Sequence, residues 1–321
     1  MLDDFINQFW PSTVDGLALG AIYALLALGY TMVYGVLRLI NFAHADIFMV
    51  GTFAALWTAR TMGVSDAGGF ALIGVVVAMA VVAGAVAGGG AVLLEVTAYR
   101  PLRKKGASRL AALISAIGAS IFIQQLMGTV GVRWIFGTSK EAGRLDVNEQ
   151  FKHLTNVVDT DAIVIRNDQL IIFVGAVLMM IALDQFVNRT KLGRGIRSTA
   201  QDPQTAVLMG VNIDRVVSVT FLVGGVMAGV AAALYFLRFE TTNYFVGFLL
   251  GIKAFTAAVL GGIGNIRGAL AGGFTLGLLE MYGSSIFGSE WRDVVAFALL
   301  ILVLMFRPTG ILGESLQQAR A

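Results

Sequence analysis

Of the 321 residues, 57% are hydrophobic and only 13% are charged, and the mean hydropathy is +0.80. A soluble domain carries about 25% charge, so this composition excludes a soluble globular fold and marks a chain built for lipid. The absence of cysteine excludes a disulfide framework and thiolate metal sites, and the net charge of +3 acts through its placement rather than its total.

The opening Met1-Leu2-Asp3-Asp4 is acidic where a cleavable signal would be basic, so no signal peptide is expected. Residues 16–37 are uncharged and long enough to span; Asp3, Asp4 and Asp15 precede them and Arg38 follows. The next run, 47–59, is too short to cross alone and is fed by the polar Asn41-Phe42-Ala43-His44-Ala45-Asp46. That combination predicts a broken or re-entrant element. Residues 67–94 are again uncharged, and Gly84, Gly88, Gly89 and Gly90 give them a small-residue stripe for close packing. Arg100, Arg103, Lys104, Lys105 and Arg109 then mark a cytoplasmic loop.

A span at 110–132 leads to the polar segment 133–168, whose nearly balanced charge suits an outside loop; His153 lies within it. Residues 169–187 cross back. The basic residues Arg189, Lys191, Arg194, Arg197 and Arg215 place 188–214 in the cytoplasm. Within that segment Asp202 can cap a short helix, Pro203 suits its first position and Gly210 suits a left-handed stop. About seven residues, roughly 10 Å of rod, remain between them. Ala206 and Met209 or Gly210 can share one face. Such a helix suits a groove on another protein and the lipid surface equally well.

A span at 216–237 precedes a second interrupted run, 241–266, which holds Lys253 and Gly261-Gly262-Ile263-Gly264. Spans at 268–287 and 293–306 follow, the last stopped by Arg307-Pro308. The chain therefore reads as an all-α polytopic membrane protein of 8–10 transmembrane elements, two of them interrupted, with its start outside and its end inside. Its organisation is a single transmembrane domain over 1–321, made of a first half 1–187, a cytoplasmic segment 188–214 and a second half 215–321. At an offset of 202, Asn41-Phe42 falls on Asn243-Tyr244, Phe53 on Phe255 and Ala55 on Ala257. Five spans separate the two interrupted elements, so the halves have opposite orientation, the inverted-repeat pattern of transporters.

Catalytic motifs are missing. The sequence holds no Walker A, His-Glu-x-x-His or Gly-x-Ser-x-Gly pattern, and its two histidines make no metal or acid–base site. Its arginines follow topology rather than a nucleic-acid surface. The ionisable residues at membrane depth are Asp46, Glu95, Asp184, Lys253 and Glu280. Glu95 and Asp184 lie near inner ends and read as interfacial. Asp46 and Lys253 accompany interrupted elements and read either as pathway groups or as local hydrogen-bond partners. A secondary transporter, a channel or a scaffold would account for these features without an energy-supplying partner.

Several motifs in order carry a resemblance. They are Ala27-Leu28-Gly29-Tyr30-Thr31-Met32-Val33-Tyr34-Gly35, Ile40-Asn41-Phe42-Ala43-His44, Ala98-Tyr99-Arg100-Pro101-Leu102-Arg103, Lys253 through Gly264, and Pro308-Thr309-Gly310-Ile311-Leu312-Gly313. With them the chain resembles, nearly end to end, the branched-chain amino acid ABC importer permeases of the LivH type. Ala45 stands where that family usually has glycine, and Arg267 where it tends to have proline.

The resemblance implies a multi-pass protein of the bacterial inner membrane with no cofactor of its own, ATP and magnesium being held on partners. It implies a second homologous permease, two ATPase subunits and a periplasmic binding protein beside the membrane lipid. Branched-chain amino acids are the implied cargo, with urea, short amides and other amino acids as alternatives. Coupling to the ATPases then falls to Arg197, Ala200, Asp202, Pro203, Ala206 and Gly210. The translocation pathway falls to Asn41, Phe42, His44, Asp46, Asn243, Tyr244 and Lys253.

Overall fold

Each expected membrane element forms a helix, because in lipid a backbone must satisfy its own N–H and C=O groups. The computed structural model describes residues 2–63, 70–133, 145–146, 151, 154–159, 164–307 and 309–313. The helices are α1 (Leu2–Leu37), α2 (His44–Met62), α3 (Phe70–Leu94), α4 (Arg100–Lys104), α5 (Arg109–Leu126) and α6 (Asn167–Arg189). After them come α7 (Lys191–Gln201), α8 (Pro203–Leu208), α9 (Ile213–Phe239), α10 (Val246–Gly261), α11 (Ile266–Phe287) and α12 (Arg292–Phe306). Most of the segment 133–168, His153 included, and Pro308 lie outside the described residues. Its described residues include three short strands: β1 (Leu145–Asp146) pairs with β4 (Thr241–Thr242), which follows α9, and β2 (Asn156–Asp159) pairs with β3 (Val164–Arg166), both antiparallel.

Two boundaries differ from the sequence reading. The run expected at 47–59 is a 19-residue helix, about 28 Å long and so nearly able to cross alone. The polar residues His44 and Asp46 form its first turn instead of preceding it. The basic loop after α3 is helical as well, since a π-turn over Glu95–Tyr99 carries α3 on to Lys104.

Helix α1 is almost wholly buried and α9 largely so, whereas α5 and α6 expose most of their apolar surface. A helix apolar all round belongs either in a core or in lipid. Here the central pair takes the first place and the outer pair the second. Helices α1 and α9 run antiparallel: Gly29 meets Gly224, and Asp15 meets Arg238, so the paired numbers sum to 253 both times.

Close approach carries the packing. A Cβ on Gly277 of α11 would lie 2.4 Å from the Gly20 Cα of α1, and one on Gly229 of α9 would lie 2.3 Å from the Ala83 carbonyl oxygen of α3. These are seams of backbone on backbone, which only glycine permits. Counted in order about the two breaks, α1 corresponds to α9 and α3 to α11, so the α1–α11 seam and the α9–α3 seam are counterparts.

Charged clusters tie both ends of α9. At its start, the buried Glu95 carboxylate accepts from Arg100 at 2.7 Å, Arg103 at 3.3 Å and the Ser218 hydroxyl at 3.0 Å, while Arg103 also holds Asp214. Glu95 is therefore the buried centre of an ion-pair cluster at this end of α9. At the far end Arg238 bridges Asp15 and Asp168, and Gln169 donates to Asp15 at 2.6 Å. From 214 to 238 is about 36 Å of helix, the hydrocarbon core plus part of each interface.

Candidate translocation pathway and coupling surface

The two breaks share one backbone design. Helix α1 ends on Arg38 (φ 54°) and α9 on Glu240 (φ 55°), the two non-glycine residues in the left-handed region among the described residues; they lie 202 apart. Each N–H reaches back four residues over 2.8 Å, from Arg38 to Tyr34 and from Glu240 to Phe236. The next helix starts alike in both repeats: His44 N–H donates to the Asn41 carbonyl at 3.1 Å, and Val246 N–H to the Asn243 carbonyl at 3.2 Å. The Asn-aromatic pair at offset 202 thus marks a duplicated helix–break–helix corner.

Side chains around the first corner separate. Asn41 turns away and accepts from the Tyr99 hydroxyl at 2.9 Å. His44 packs edge-on to the Tyr30 ring at 4.8 Å, in room left by Gly29, where a Cβ would lie 2.3 Å from its Nε2. Phe42 and Asp46, with Tyr30, Ser120, Gln124, Phe248 and Phe255, line a cavity of about 100 Å³ between α2, α5 and α10. Gln124 donates to Asp46 Oδ1 at 2.9 Å, and Asp46 Oδ2 has no partner.

A larger cavity of about 550 Å³ lies on the opposite side of α10. Asn243 and Lys253 line it with Tyr23, Glu280, Arg292 and Asp293, and Phe248 borders both cavities. Lys253 Nζ pairs with Glu280 at 2.8 Å and Asp293 at 2.6 Å, and the Tyr23 hydroxyl donates to Glu280 at 2.9 Å. Lys253 and Glu280 are buried. Tyr244 faces elsewhere: its ring lies against Gly128 beyond α5. The pathway residues read from sequence thus fall into two groups, Phe42 and Asp46 on the small cavity and Asn243 and Lys253 on the large one, with His44 packed behind Tyr30. Asn41 and Tyr244 belong to neither.

The segment 188–214 is a pair of helices. Asp202 caps α8 by accepting from the N–H of Gln204 at 2.9 Å and of Thr205 at 3.3 Å. The Thr205 hydroxyl first, and then these amides, hold its carboxyl below the ordinary carboxylate range. Pro203 takes the first position and Gly210 is left-handed at φ 83°. An amphipathic helix, α7, fills the stretch before Asp202, which the sequence reading left without an element; it buries Gly193, Ile196 and Thr199. Arg197 donates to Asn188 at 2.6 Å, and the Ala200 carbonyl accepts from Arg38 at 2.8 Å.

One expectation is corrected here. Ala206 is buried within the chain, so it is not on a docking face, while Leu208 and Met209 are 85% and 80% exposed. The physical reason is the 100° step between helical residues: packing Ala206 inward turns 207 and 208 outward, and Met209 leaves the helix as its C-cap.

Sequence reasoning missed Tyr23, Tyr30, Gln124, Arg292 and Asp293. The only available signals were Glu280 in an otherwise uncharged run and the Arg292-Asp293 pair opening the last one. Among the described residues, no three His, Cys, Asp or Glu side chains gather as a metal site.

Known proteins resemble this arrangement over nearly its whole length. Residues 12–304 match the family described as "Branched-chain amino acid transport system / permease component". The chain is 42% identical to the high-affinity branched-chain amino acid transport system permease protein BraD of Pseudomonas aeruginosa, over 96% of this chain and 97% of that protein. It is 41% identical to the corresponding LivH protein of Escherichia coli K12, over 98% of each. The LivH protein of Salmonella typhimurium is 40% identical, again over 98% of each chain.

Proposed function

The chain belongs to the branched-chain amino acid transport system / permease component family, and from that premise we propose that it is the permease subunit of an ATP-driven importer for branched-chain amino acids in a bacterial inner membrane. It is a transport component and not an enzyme. ATPase subunits on the cytoplasmic side supply the energy, and a binding protein on the outer side supplies the cargo. Two ATPases and a second, homologous permease complete the assembly. Phe245, Phe248 and Leu249 are exposed beside the larger cavity, which supports a passage walled on its open side by the second permease. The Glu95–Arg103–Asp214 end of α9 is the inner end and the Asp15–Arg238 end the outer one, in keeping with the basic residues at 100–109 and 189–215.

The observation that carries the coupling role is the exposed apolar tip Val207-Leu208-Met209 on a helix capped at both ends and anchored by Ala206. ATP-driven movement of the ATPases pushes this tip. The guanidinium of Arg38, held on the Ala200 carbonyl, passes the displacement to the corner before α2. The passage then alternates its opening.

The test is the double substitution Leu208→Glu/Met209→Glu, which touches no residue packed inside the chain. The variant is expected to insert normally, to lose its ATPase partners on purification and to lose most uptake in proteoliposomes. Normal uptake with normal ATPase stimulation would remove α8 from the coupling role.

A further inference from the structure

The small cavity between α2, α5 and α10 holds a group the fold does not use. Asp46 is 1% exposed, and Gln124 satisfies one of its carboxylate oxygens at 2.9 Å. The other, Oδ2, has no hydrogen-bond partner; the Ser120 hydroxyl lies beside the carboxylate without closing a bond to that atom. Among the described residues, the arginines and lysines that form ion pairs serve Glu95, Asp214, Asp15, Asp168, Glu280 and Asp293, and none reaches Asp46. A carboxylate taken out of water with half its acceptor capacity empty is costly, and the cost disappears only when a cation or a donor arrives.

The repeat does not account for this charge either. The position equivalent to Asp46 at offset 202 is Phe248, which separates the two cavities. The charge is therefore specific to one side of α10, and its surroundings suit a particular visitor. Phe42, Phe248 and Phe255 present rings around the carboxylate's cavity, and Tyr30 and Ser120 add hydroxyl oxygens. Aromatic faces with one anion and neutral acceptors hold an ammonium group, which a ring quadrupole also attracts. A volume of about 100 Å³ equals about three waters. That accommodates an aminomethylene head.

We infer that the free oxygen of Asp46 receives the α-ammonium group of an amino acid in transit. The inference rests on the permease reading and specifies the substrate group recognised within it. The ammonium enters the small cavity, donates to Asp46 Oδ2 and to the Ser120 and Tyr30 hydroxyls, and leaves the carboxylate and side chain toward Phe248. No bond is made or broken and no proton need move.

The test uses the assembled transporter with a single cysteine introduced as Ser120→Cys; the natural chain has none. Leucine and isopentylammonium are expected to slow its modification by a small methanethiosulfonate, and 4-methylpentanoate, which lacks the amine, is not. Adding Asp46→Asn should abolish that protection and, in the otherwise natural chain, lower leucine uptake about thirtyfold or more, the least that losing one partner of a buried charge pair costs. Equal protection by the amine and the carboxylate, or unchanged leucine uptake by Asp46→Asn, would overturn the inference while leaving the permease reading intact. Absence of ATP-driven leucine uptake by the natural assembly would instead defeat the permease reading. If Asp46→Asn fails to insert, the comparison of ligands on Ser120→Cys alone decides.

Discussion

Gly277→Ala is expected to lower the thermal midpoint of the purified protein sharply, and Gly273→Ala nearly as much. The added methyl at 277 would lie 2.4 Å from the Gly20 Cα and the Gly16 carbonyl oxygen, and at 273 it would lie 2.5 Å from the Ala24 Cα. A flexible side chain could move aside from such a contact, but backbone cannot, so α1 and α11 must separate along the seam. Overpacking of this kind costs about 1–3 kcal/mol, and the absence of any yielding side chain places these two near the upper end. Gly89→Ala is the control, since nothing lies within 4 Å of a Cβ there. Heating followed by size-exclusion chromatography would rank the three, and equal midpoints would contradict the seam.

The second large effect concerns the charges around Lys253. Lys253 and Arg292 balance Glu280 and Asp293, and the innermost pair, Lys253–Glu280, is buried. Lys253→Met leaves Glu280 with the Tyr23 hydroxyl at 2.9 Å and Arg292 at 3.7 Å. Removing one partner of a buried pair costs about 3–5 kcal/mol, mostly for the charge left behind. The double variant Lys253→Met/Glu280→Gln removes one charge of each sign and keeps an acceptor for Tyr23. It should recover most of the lost stability. A single variant as stable as the natural chain, or a double variant no better than the single one, would show that the pair does not act as a unit.

Much of this architecture was legible in the sequence, because uncharged runs of spanning length have few alternatives in lipid. A break near Asn41 and its image near Asn243 were legible for the same reason, though the first falls at 38–43 and His44 and Asp46 already belong to α2. The cap residues Asp202, Pro203 and Gly210 placed α8 correctly, since each acts through local backbone chemistry. Which way Ala206 faced was not legible, because helical phase is set by what the helix packs against. Helix α7 escaped notice because its buried side is Gly193, Ile196 and Thr199, too small and mixed a set to read as an apolar face. The partners of Glu95 were not legible: Arg100, Arg103 and Ser218 surround it, and Ser218 comes from a helix more than a hundred residues away. The partnership of Lys253 with Glu280 and Asp293 is long-range in the same way.

The backbone seams also divide the molecule by time. Where α1 meets α11 and α9 meets α3, the contacts at Gly20, Gly273, Gly277, Gly225 and Gly229 set backbone on backbone, which leaves little that could shift by one rotamer and let the helices creep. The four helices must move as one piece or not at all, and their amides can exchange with solvent only when the whole bundle unfolds. The outer helices α5 and α12 touch the rest through side chains, Tyr244 against Gly128 and Val295 against Gly283. Opening and closing on the timescale of a transport cycle therefore belongs to those parts, turning about a centre that stays still.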